Sequence, residues 1–166
     1  MRLTTMLLGG AVAAVTACGK ADSTSPEAAA RLVSEGALTL EVSASPASFV
    51  AGDTTWIEVA LTNHRAKAVT LHFSSGCQLL YEIENAEGEE IRQEGGGFGC
   101  TGALTELTLE PGQRDVRRFP WTAQEFMYPP PTYTPLPAGT YRIYGTLGQP
   151  AKARSAPVTV TILPAP

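Results

Sequence analysis

Aspartate occurs only at positions 22, 53 and 115 of this 166-residue chain, and histidine only at 64 and 72. That scarcity removes much of the material for acid–base catalysis and metal binding. Neither CxxC nor HxxxH occurs, so His72, close in sequence to Cys77, has no partners at zinc-ligand spacing and reads as solvent-facing. There is no G-x-S-x-G elbow, and "GGGFG" at 95–99 does not pass from a strand into a helix as a phosphate loop must. Basic residues are outnumbered, 12 Lys and Arg against 16 Asp and Glu for a net charge of −4, which argues against a nucleic-acid partner. Glutamates are better represented, but Glu82, Glu84, Glu87, Glu89 and Glu90 gather about one turn and read as a solvated face. The chain is read as a non-enzyme without metal or cofactor. No apolar run reaches the roughly 20 residues of a membrane-spanning helix.

Cysteine is scarce too, with Cys18, Cys77 and Cys100, and an odd count in an exported chain requires separate explanations for the pair and the remainder. Export is read from residues 1–17, where Arg2 precedes an apolar stretch weakened by Gly9 and Gly10 and closed by small residues, a secretory signal layout. The signal ends Val15, Thr16, Ala17, Cys18, which resembles the lipobox of bacterial lipoproteins. The resemblance implies cleavage before Cys18, a diacylglyceryl group on its sulfur and an acyl group on its new amine. Such chains anchor a protein to the membrane without a spanning helix. Gly19 in place of aspartate favours the outer membrane if the cell is Gram-negative. Residues 18–36 then form the lipidated cysteine and a flexible tether, with Ser25 and Pro26 placed as N-cap and first residue of a possible short helix through Val33. Cys77 and Cys100 lie in glycine-bearing loops just outside strands. Outside the cytoplasm two such thiols are expected to pair.

From residue 37 to 163 the pattern has period two, and 16 Gly and 13 Pro supply turns. Leu38, Leu40 and Val42 alternate with polar residues, as do Ile57, Val59 and Leu61, then Val69, Leu71 and Phe73, then Leu79, Tyr81 and Ile83. "NAEGEE" predicts a tight turn at Gly88, with "EIRQ" as a short return strand. "ELTLEPGQ" and "RDVRRFPW" follow as partners around a Pro-Gly turn. Val116 and Phe119 stand an odd number apart, predicting a bulge or break near Pro120. "TYRIYG" and "VTVTIL" complete an all-β, antiparallel sandwich of immunoglobulin-like type, one domain and a monomer. Trp56, Trp121 and Tyr141 read as core or near-core packing in preference to a carbohydrate platform. Residues 122–139, with five prolines, predict an extended polyproline segment. Phe126, Met127, Tyr128 and Tyr133 there are either apolar anchors for a partner or packing on the sandwich edge.

The order "VALTNHRAKAVTLHFSSG", "YEIENAEGEEI", "LTLEPGQ", a tryptophan-bearing strand and "LPAGTYRIYGTL" resembles the intracellular proteinase inhibitor (BsuPI-type) domain family over residues 54–148. The resemblance implies an immunoglobulin-like sandwich and a protease as partner, and assigns no inhibitory residue to a position here. The chain departs from the family in its export signal and in Cys77 and Cys100. Two functions are expected of it: inhibition of a protease at the cell envelope, or an envelope accessory module that binds another protein without inhibiting it.

Overall fold

The computed structural model describes residues 38–93, 99–151 and 153–165, with residues 28–34 described as backbone. The signal peptide and Cys18 lie outside the described residues. One layer is an antiparallel sheet of β1 (Ala28–Ser34), β2 (Leu38–Ser45), β4 (Thr55–Asn63) and β9 (Arg114–Trp121), hydrogen-bonded in that order. The facing layer runs β3 (Ser48–Val50), β13 (Val158–Leu163), β12 (Gly139–Leu147), β6 (Leu79–Glu84) and β7 (Glu90–Ile91). It is antiparallel except where β3 runs parallel to β13. Two short pairs complete the chain: β5 (Val69–Phe73) with β8 (Thr105–Leu109), and β10 (Gln124–Met127) with β11 (Thr132–Pro135). The switch from one layer to the other between β2 and β3, and the pairing of β3 with the last strand, give the sandwich its immunoglobulin-like connectivity.

The alternation in the sequence becomes the core. Leu40, Val42 and Ala44 of β2 and Ile57, Val59 and Leu61 of β4 are buried against Tyr81 and Ile83 of β6, Ile143 of β12 and Val160 of β13. A fully buried aliphatic side chain contributes about 1.5–3 kcal/mol, more than the spread of about 1 kcal/mol in strand propensity, so burial sets the register. Gly145 on β12 allows the layers to meet: a Cβ there would lie 3.0 Å from Val59 Cγ1 and 3.2 Å from the Glu41 carbonyl oxygen. Its amide donates to Ser155 Oγ at 2.8 Å, and that hydroxyl donates to the Ala156 carbonyl.

Several expectations are corrected. Residues 28–34 form strand β1, not a helix, and add to the sheet upstream of residue 37, with Leu32 opposite Leu40. A helix this short is marginal in water, whereas β2 offers a full ladder. No bulge interrupts β9, which pairs residue for residue with β4 from Arg114 to Trp121. As an edge strand it needs only one side of its ladder, so Pro120 is tolerated opposite Trp56, and Val116 and Phe119 face opposite sides. Trp56 is 50% exposed, on the outer face between the buried Thr55 and Ile57, and is not core. Trp121 and Tyr141 are buried as expected. Trp121 meets Phe49 and Tyr141 edge-on, at centroid distances of 5.6 and 6.2 Å.

Candidate functional site

Residues 122–139 do not run as an extended polyproline segment. They fold back as the β10–β11 hairpin, in which Phe126 stands opposite Tyr133 and Met127 opposite Thr132. Cross-strand aromatic pairing explains the preference: the Phe126 and Tyr133 rings lie 5.4 Å apart, tilted by 47°. Tyr128 and the three prolines that follow it form the turn. The base is fixed by two backbone bonds. The Leu136 amide donates to the Ala123 carbonyl at 2.9 Å, and the Phe126 amide donates to the Arg92 carbonyl at 2.9 Å, seating the hairpin beside the short edge strand β7. Ala123 and Leu136 are themselves buried, so the base belongs to the core while the tip projects. Of the four anchors named from sequence, Phe126 is half-buried, whereas Met127, Tyr128 and Tyr133 are 43, 64 and 48% exposed.

Beneath the hairpin lies a groove of about 350 Å³. Its rings are Tyr81 of β6, Phe119 and Trp121 of β9, Phe126 of β10 and Tyr133 of β11, completed by Gln93, Pro120, Thr122 and Gln124. Tyr81 and Phe119 pack at 5.1 Å. Sequence reasoning found Phe126 and Tyr133 but missed the groove, because its other rings belong to strands distant in the chain.

Tyr141 is placed as the corner tyrosine found in immunoglobulin-like sandwiches. Tyr141 Oη donates to the Pro137 carbonyl at 3.0 Å, just after the hairpin returns to the sandwich. Burial pushes its hydroxyl above the ordinary value, with the charge of Glu87 adding to the shift. Cys77 and Cys100 are disulfide-bonded, with Cα atoms 5.3 Å apart and a sequence separation of 23. Gly148 approaches so closely that a Cβ there would collide with the Cys77 carbonyl oxygen, and its amide donates to the Gln78 carbonyl at 2.9 Å. The disulfide therefore pins the loop after β5 to the segment before β8, and the Gly148 amide ties that loop to the end of β12.

Glu84 departs from the solvated face expected for its neighbours. Its carboxylate accepts from Arg154 Nη2 at 2.7 Å and Tyr144 Oη at 3.0 Å, with Arg142 Nη2 at 3.4 Å. The Arg154 guanidinium lies 3.5 Å over the Tyr144 ring. The hydrogen bond from Arg154, foremost, holds the Glu84 carboxyl below its usual range, while burial opposes it. The cluster ties β6 to β12 and the chain before β13. His72 pairs with Glu106 Oε1 at 3.0 Å on the exposed face of β5 and β8. Among the described residues no three His, Cys, Asp or Glu side chains gather as metal ligands, and no helix is long and apolar enough to cross a membrane.

The described residues form an immunoglobulin-like sandwich that presents an apolar hairpin. A model of the intracellular proteinase inhibitor family, BsuPI, matches residues 40–151, and the chain belongs to that family. A search of curated proteins found no match. Solved structures similar to the chain include a β-glucosidase from Listeria innocua in complex with isofagomine, at 12% identity and a TM-score of 0.46. That likeness covers 75% of this chain and 16% of the enzyme. A β-glucosidase from Erythrobacter marinus is 15% identical over 72% of this chain and 14% of its own, with a TM-score of 0.44. A CARDB domain from Pyrococcus furiosus, in complex with di-metal ions, is 18% identical over 80% of this chain and 93% of its own, with a TM-score of 0.43.

Proposed function

We propose that this protein is a non-catalytic binding domain, held at the bacterial cell envelope by lipid on Cys18, that blocks a protease through its β10–β11 hairpin. Membership of the proteinase inhibitor family supports the protease as partner. The observation that carries the reading is the hairpin's build: Met127, Tyr128 and Tyr133 exposed at the tip, Ala123 and Leu136 buried at its base. Large apolar side chains offered on a pre-ordered frame are what a tight interface uses, because little freedom is lost on binding. The turn also resists cutting. Pro129, Pro130 and Pro131 remove three successive amide hydrogens and lock the backbone, so the bonds preceding them are poor protease substrates.

The lipobox-like Val15–Cys18 supports the anchor, and the Cys77–Cys100 bond, of a kind that persists outside the cytoplasm, supports a target there. The test is residual activity of serine, cysteine and metalloproteases titrated with the protein and with Tyr128→Ser/Tyr133→Ser. Inhibition by the parent and not by the variant is expected. Absence of inhibition by the parent against every class would replace the reading with an accessory module that binds a different envelope protein.

A further inference from the structure

The β10–β11 hairpin has a second face. Gln124 and Phe126 lie to one side of β10, and the alternation of a strand sends Glu125, opposite Thr134, to the other. There a groove of about 410 Å³, within the range of ligand clefts, lies between β10, the turn that joins β6 to β7 and the segment that leads into β12. Ile91, Leu136, Pro137 and Tyr141 give it apolar walls. Among the described residues its charged members are both carboxylates, the exposed Glu87 on the turn and the half-buried Glu125 on β10. Neighbouring acids are engaged: Glu82 pairs with Arg154, Glu84 with Arg142 and Arg154, and Glu89 accepts from the Asn85 side-chain amide. Glu87 and Glu125 have neither a hydrogen bond nor an ion pair to any described residue. The nearby cations are turned elsewhere. Arg142 reaches Glu84 and the Asn85 carbonyl, and Arg92 lines a separate cavity with Glu82 and Glu90. The Tyr141 hydroxyl, raised by burial first, is raised further by the charge of Glu87, so that uncompensated field reaches the groove wall.

We propose that this groove receives a cationic side chain, arginine or lysine, of a partner polypeptide, its alkyl stem along Ile91, Leu136 and Pro137 and its head at Glu87 and Glu125. The proposal rests on the reading of the hairpin as the element that meets a partner, since Glu125 belongs to it, and adds a contact on the face away from Phe126 and Tyr133. Lysine and arginine carry an apolar stem beneath a charged head, which matches the two kinds of surface the groove offers. An acidic side chain would be repelled by both carboxylates, and an uncharged apolar one would cover them without pairing them. The contact therefore selects among partners by charge as well as by shape.

The test follows the backbone amide signals of residues 85–91 and 136–141 in the full ¹⁵N-labelled protein. The probes are N-acetyl-arginine amide, N-acetyl-norleucine amide, which keeps an alkyl stem without the charge, N-acetyl-glutamate amide and calcium chloride. The proposal expects these signals to move saturably with the arginine probe and to stay in place with the norleucine and glutamate probes. It expects Glu87→Gln/Glu125→Gln, which keeps the side-chain shapes and removes both charges, to lose that movement at unchanged melting temperature. No saturable movement with the arginine probe, equal movement with the norleucine or glutamate probe, movement with calcium alone, or undiminished movement in the double variant would overturn it. The protease titration is independent: a protein that inhibits but does not respond to the arginine probe loses only the groove proposal, and one that responds without inhibiting loses only the inhibitor reading.

Discussion

The side-chain amide of Asn63 donates to the backbone carbonyl of Leu109 at 2.9 Å, across 46 residues of sequence. The same amide reaches the carbonyls of Lys67 and Glu110, at 3.0 and 3.2 Å, and its oxygen accepts from the Arg65 amide. One fully buried asparagine thus joins the end of β4, the loop before β5 and the β8–β9 turn. Asn63→Ala leaves these backbone groups without partners and is expected to cost about 2–3 kcal/mol. In a chain of this size that lowers Tm by roughly 5–10 °C. Thermal or urea unfolding reads it, and a change within about 0.5 kcal/mol would show the amide to be replaceable.

Tyr141→Phe removes only the hydrogen bond to Pro137 and keeps the ring against Trp121. A loss of about 1 kcal/mol is expected by urea unfolding. A loss above about 3 kcal/mol would mean that the hydroxyl organises more than the corner.

Much of this frame was legible because burial repeats every second residue. Leu40, Val42, Ile57, Val59, Tyr81, Ile83, Val158 and Val160 carry the two inner faces on their sequence alone. The pairing of Cys77 with Cys100 followed from their number and their glycine-bearing loops, and the burial of Trp121 and Tyr141 from their size in a small sandwich. What was not legible depends on neighbours far along the chain. Residues 28–34 extend because β2 offers an open edge, and Pro120 continues a strand because β9 is the last in its sheet. Residues 122–139 fold back because Phe126 finds Tyr133 and Arg92. Glu84 looked like its solvated neighbours, since the Arg142, Tyr144 and Arg154 that enclose it come 58 or more residues later.

Glu84 makes stability depend on pH in a set direction. Its folded carboxyl titrates below the ordinary 4.5, so as pH falls the unfolded chain takes up the proton first. Its contribution is intact above about 4.5 and is lost as pH drops through the folded value. Stability of the parent should therefore fall more steeply than that of Glu84→Gln below pH 4.5, the two curves converging in acid. Tyr144 acts at the other end: burial, with Glu84 adding to it, raises its hydroxyl above 10, so that contribution is present below 10 and disappears as pH rises through the folded value. Parallel acid limbs in urea-unfolding series would contradict the role of Glu84.

Replacing Cys77 and Cys100 by serine opens a loop of 23 residues' separation. The expected cost is about 3 kcal/mol in the chain-entropy view, read by urea unfolding of parent and variant. Mass measurement after alkylation without reduction should show neither thiol modified in the parent.

The most direct test of the account is the stoichiometric titration of serine, cysteine and metalloproteases with the purified protein, following protease activity and the integrity of residues 122–139 together. Saturating inhibition of one protease class with the hairpin intact, lost in Tyr128→Ser/Tyr133→Ser at unchanged Tm, is the predicted result. Inhibition undiminished in that variant, or no inhibition of any class by the parent, would contradict it.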